Sequence, residues 1–120
     1  MLLALALAAA VHAAPADSVP GTWKITGDVV GNPLNETCTL KQAGTLVTGS
    51  CTGETGGPYE VTGDVKDGKV TFKHAGDYQG TALIITYAGT LAAGQLKGSV
   101  DVQPFGVTGT FTAAPAPAKP

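Results

Sequence analysis

Ile25-Thr26-Gly27-Asp28-Val29 recurs as Val61-Thr62-Gly63-Asp64-Val65, and Leu96-Lys97-Gly98-Ser99-Val100 follows the same plan. Apolar and polar positions alternate with a period of two, the signature of a strand with one covered face. The glycine always takes the apolar parity. No helix follows these glycines, so they do not form a phosphate-cradling loop. Inward glycine in a strand instead permits sharp coiling and close backbone approach, as a tight barrel requires. The same alternation runs through Trp23, Ile25 and Val29, through Val70, Phe72 and His74, and through Val107, Gly109 and Phe111.

Turn signals separate these runs at Gly31-Asn32-Pro33, Gly44-Thr45, Gly53 to Pro58, Asp67-Gly68, Gly76 to Gly80, Ala93-Gly94, and Gln103 to Gly106. Seven such turns divide the chain into eight short strands, a spacing that predicts a barrel or sandwich. Closure into an antiparallel up-and-down barrel removes the edges that invite aggregation, so it is the expected architecture. An open β-sandwich is the alternative. A transmembrane barrel is excluded by the Thr, Lys and Asp of the outward positions.

Local turns also set register. With Gly44-Thr45 as a two-residue turn of type II′, Cys38 falls directly opposite Cys51 at a closely spaced pair. A cross-strand disulfide is expected, contributing about 3 kcal/mol through a loop of about 14 residues. With Asp67-Gly68 as turn, Gly63 faces Phe72. With a four-residue loop at Gln103 to Gly106, Gly98 faces Phe111.

The 120-residue chain holds 7 Lys+Arg against 9 Asp+Glu and contains no arginine. That leaves no electrostatic footprint for nucleic acid. The apolar run from Leu2 to Val11 is too short to span a bilayer and suits a signal-peptide core, so residues 1–13 are read as a signal with cleavage after Ala13, or alternatively after Ala16. No cysteine follows closely, so the protein is expected to be exported, periplasmic or secreted, and not a lipoprotein. Residues 14–20 form a lead segment, 21–113 the barrel, and 114–120 a Pro/Ala tail expected to stay outside the sheet as extended polyproline II.

Gly21-Thr22-Trp23 opens the first strand, and this G-x-W resembles the start of calycin barrels, the lipocalins, fatty-acid-binding proteins and avidins. The closing Gly109-Thr110-Phe111 strand is similar in kind. The layout also resembles small exported bacterial barrels, most without known function, and bacterial metalloprotease inhibitors, in which an N-terminal segment, here Ala14 to Pro20, would enter the protease. The lipocalin arginine that packs over the tryptophan has no counterpart. Trp23 stands alone where avidins use several tryptophans, so a biotin site is not implied.

Chemistry is sparse. His74 has inward parity but no nucleophile or second imidazole at useful spacing, and the acids are read as scattered over outward faces and turns. Asn35-Glu36-Thr37 matches a glycosylation sequon. No catalytic residue, metal or cofactor is expected, and enzyme is the least favoured class. The first functional reading is a small apolar ligand in a slot left by the inward glycines, lined at its mouth by Tyr59, His74 and Gln42 and bordered by Trp23, Phe72 and Tyr87. The second is a filled barrel used for protein contact, as a monomer or weak dimer. Its expected surface is the outward side of Leu83 to Ala88, carrying Ile84, Thr86 and Ala88, taken as the one apolar stretch outside.

Overall fold

The computed structural model describes residues 18–53 and 56–116. The signal-peptide reading and most of the lead segment lie outside them. Eight antiparallel strands close into an up-and-down barrel: β1 (Gly21–Val29), β2 (Asn32–Ala43), β3 (Leu46–Gly53), β4 (Gly56–Lys66), β5 (Lys69–Tyr78), β6 (Thr81–Ala92), β7 (Gln95–Gln103) and β8 (Val107–Pro115). Each strand pairs with its sequence neighbour, and β1 pairs with β8 to complete the ring. The fold is consistent with a calycin-like barrel. Among the described residues no helix is long and apolar enough to cross a membrane.

The expected registers are present. Cys38 opposes Cys51 and the two are joined in a fully buried disulfide. Their Cα atoms are 4.0 Å apart, the close spacing of a non-hydrogen-bonded pair. Gly63 opposes Phe72, and Phe111 is flanked by Gly98 on β7 and Gly27 on β1. Around them the interior packs Trp23, Ile25, Leu40, Val61, Ile85 and Val100, all buried.

Four boundaries differ from expectation. Between β3 and β4 the expected turn from Gly53 to Pro58 is shorter, since β3 reaches Gly53 and β4 already begins at Gly56. The first turn is Val30-Gly31 alone, both at positive φ (51° and 82°), with Asn32 and Pro33 already in β2. That geometry suits the right-handed twist of a hairpin, and the Asp28 carboxylate closes it by accepting the Gly31 N–H at 3.0 Å. In the β5–β6 hairpin the turn is only Gln79-Gly80, because Gly76 is buried at an inward position of β5. At the C-terminus, β8 runs on to Pro115, which pairs with Trp23, and the Ala116 N–H donates to the Thr22 carbonyl. Closing the barrel on β1 supplies partners that a free tail would lack. Residues 117–120 lie outside the described part.

Candidate functional site

Strand direction sorts the candidate ligand residues by depth. The start of β1 and the Gly44-Thr45 turn lie at one end of the barrel, with both described chain termini. The Val30-Gly31 and Gln79-Gly80 turns and the Gln103–Gly106 loop lie at the other. Trp23 and Gln42 belong to the first end. Tyr59 and His74 lie toward the second, with Phe72 and Tyr87 between. Gln42 therefore does not join Tyr59 and His74 at one mouth.

At the first end the chain plugs the barrel itself. Val19 is buried over the interior, its carbonyl accepting the Trp23 indole Nε1–H at 2.7 Å and its N–H donating to Gln42 Oε1 at 3.0 Å. Gln42 Nε2 donates to the Gly44 carbonyl at 3.0 Å. Each polar atom of this closure has a partner.

The inward glycines leave no slot. A Cβ on Gly63 would lie 2.1 Å from the Thr71 carbonyl oxygen and 2.6 Å from Phe72 Cβ. On Gly98 it would lie 2.0 Å from the Ala88 oxygen, and on Gly27 2.2 Å from the Thr110 oxygen. The neighbouring strand's backbone occupies the space a side chain would take, so these glycines serve coiling rather than cavity formation. Two concavities of about 670 and 550 Å³ lie instead on the outer wall, one around Thr48 and Gly49, the other around Gly89 and Gly98.

The interior contains a polar group that the sequence reading placed outside. Glu36 is buried, not solvated, because β2 alternates inward from Leu40 through Cys38 to Glu36. Extending the parity from Cys38 by two residues would have found it. The Glu36 carboxylate accepts from the Tyr87 hydroxyl and faces His74, whose Nε2 is 3.0 Å from Oε1 and 3.1 Å from Oε2. The other imidazole nitrogen, Nδ1, is 2.5 Å from the Ala75 carbonyl oxygen. A carbonyl only accepts, so Nδ1 carries a proton and Nε2 turns toward the carboxylate. Burial draws the His74 pKa down, but the hydrogen bond and charge of Glu36, with the Ala75 carbonyl, outweigh it and leave the pKa raised above 6.5. Burial, with Glu36 beside it, pushes the Tyr87 phenol far above its ordinary value. The cluster is a buried imidazolium–carboxylate pair with a phenol donor.

Aromatic rings enclose it. Tyr87 stacks on Phe72 at 4.9 Å and meets Phe111 edge-on at 4.8 Å, while half-buried Tyr59 lies parallel to the His74 ring at 5.9 Å. His74 is 3% exposed and Glu36 4%, so neither side chain is presented to a substrate. The Glu36 carboxylate and both Cys38 and Cys51 sulfurs lie within 4.8 Å of one another, but the sulfurs are bonded to each other, which removes them as thiolate ligands.

On the outer wall, Ile84 and Ala88 are exposed and Thr86 is half-buried. They are not the only outward apolar residues. Tyr78 and Phe105 are 46% and 49% exposed, and their rings meet edge-on at 6.1 Å at the second end. Phe105 escaped a strand-based reading because it sits in a loop, outside any alternation. No protein-family profile and no curated protein matches the chain.

Proposed function

We propose that the chain is an exported, non-enzymatic β-barrel module that acts through protein contact on its outer wall and rim. The observation that carries this reading is the filled interior: backbone occupies the glycine positions, and Val19 plugs one end. The buried disulfide is compatible with the oxidising compartment that an apolar N-terminal run suggests. Burial of Glu36, His74 and Tyr87 supports a structural role for these groups, since acid–base catalysis needs them within reach of a substrate.

A small apolar ligand inside the barrel would need a preformed pocket of about 300 Å³. The glycines supply none. A thermal-shift screen with fatty acids, terpenoids and aromatic metabolites is expected to leave the melting temperature unchanged. A saturable rise of several degrees, abolished by Phe72→Trp but not by surface substitutions, would overturn the reading.

A further inference from the structure

Among the described residues, four of the five exposed large apolar side chains, Val30, Tyr78, Ile84 and Phe105, lie toward one end of the barrel. The fifth, Leu46, lies at the other end. Val30, Tyr78 and Phe105 sit in or beside three connections that follow one another round the rim: β5–β6, β7–β8 and β1–β2. Ile84 lies just below them, opposite Gln103.

Each of the strands leading into these connections also carries an acid near its end: Asp77 on β5, Asp101 on β7 and Asp28 on β1. Their Oδ2 atoms accept from the Gly80 N–H, Gln103 Nε2 and the Gly31 N–H respectively. Those donors are neutral, and among the described residues none of the three acids is ion-paired with a lysine. Of the six described lysines, Lys24, Lys41, Lys66, Lys69 and Lys97 lie toward the opposite end, and Lys73 lies at mid-strand on β5, opposite Thr86. The aromatic rim therefore carries three acids and no lysine, with Lys73 the nearest cation along the wall.

The geometry points to this arc as the docking surface for a basic protein segment that carries an apolar anchor. The inference rests on the protein-contact reading above and names the chemistry of the partner. Exposed apolar patches of this kind mark interaction sites. Lysine and arginine lay their aliphatic stems along apolar surface while their charge stays in water, and the faces of Tyr78 and Phe105 attract the cation. The carboxylates supply steering that salt weakens.

Isothermal titration of the folded chain with a synthetic alternating Lys/Leu peptide tests this, with Glu/Leu and Lys/Gly peptides as controls. The Lys/Leu peptide is expected to bind and to weaken as salt rises. Phe105→Ala and Asp101→Asn should each weaken it about tenfold, as loss of a central contact does, while Leu46→Ser and Lys97→Gln should not. Equal binding by the Glu/Leu peptide, or binding indifferent to Phe105→Ala, would overturn the assignment. So would self-association lost in Lys97→Gln, which would make the occupant a second copy, or binding to zwitterionic vesicles, which would make it a lipid surface. If no peptide binds and no small molecule raises the melting temperature, the rim assignment alone fails. If no peptide binds while an apolar compound raises it through the barrel, the protein-contact reading fails as well.

Discussion

At one end of the barrel an indole, a glutamine and a buried valine close the interior with neutral hydrogen bonds. Toward the other, an imidazolium, a carboxylate and a phenol are packed beneath Tyr59, beside a disulfide. The first closure is made by chain continuity, since Val19 lies only four residues before Trp23 and folds back onto it. The second joins residues 38 to 51 positions apart in the chain, so it couples strands that the hairpin ladder alone does not connect. An apolar plug resists opening by the cost of exposing its surface. A buried charge pair resists disruption because either partner, left alone, is uncompensated. The two ends should therefore respond differently to substitution and to pH.

The largest effect is expected at the apolar end. Trp23→Ala removes the ring and leaves Val19 without its anchor, so it should cost about 3–5 kcal/mol, the range for a buried large aromatic. Denaturant unfolding measures this, and a variant as stable as the parent would mean the plug contributes nothing. Glu36→Ala tests the polar end. It should cost about 3 kcal/mol, because His74 and the Tyr87 hydroxyl lose their shared partner. The double replacement Glu36→Leu with His74→Leu should recover most of that loss, since a filled apolar core can match or exceed a buried ion pair. If the double variant is less stable than Glu36→Ala, the pair does more than satisfy its own charges.

Acidity separates the ends without mutation. The folded pKa of His74 is raised, so its contribution is fully present below pH 6.5 and is lost as pH rises through the folded value. The raised Tyr87 pKa acts in the same direction once pH passes the phenol's ordinary value near 10. Glu36→Ala should reverse the neutral-pH part of the profile, because burial then outweighs the Ala75 carbonyl and draws the His74 pKa below 6.5, whereas Trp23→Phe should leave its shape unchanged. The smallest effect lies in a turn. Val30 is a β-branched residue at φ 51°, where L side chains are strained, so Val30→Asn should stabilise the hairpin by about 1 kcal/mol. It should do so without changing the pH profile.

Strand number, strand order and the Cys38–Cys51 register were legible in the sequence because two-residue turns and period-two alternation are local signals. The function of the inward glycines was only half legible. Parity placed Gly63 and Gly98 inside, but whether that space is empty depends on how closely the next strand approaches, which alternation does not encode. Residue type sends the charged Glu36 outward, whereas the parity that Cys38 sets along its strand puts it inside. Inward parity alone groups Gln42 with Tyr59 and His74, and only strand direction separates them to opposite ends. Tyr78 and Phe105 come together across β6, through the side-by-side pairing of β5, β6 and β7, and sequence distance gives no hint of it.

The central claim is that the barrel interior is closed and filled, with His74 held as part of a buried ion pair. Following the His74 imidazole carbon-bound protons by NMR across pH, with and without small apolar compounds, tests it most directly. The account predicts a single transition above pH 6.5, unmoved by any added compound. Titration at or below 6.5 would mean that Glu36 does not hold the ring in an ion pair, and a His74 resonance that shifts saturably with an apolar compound would mean that the interior is open and that the cluster lines a site.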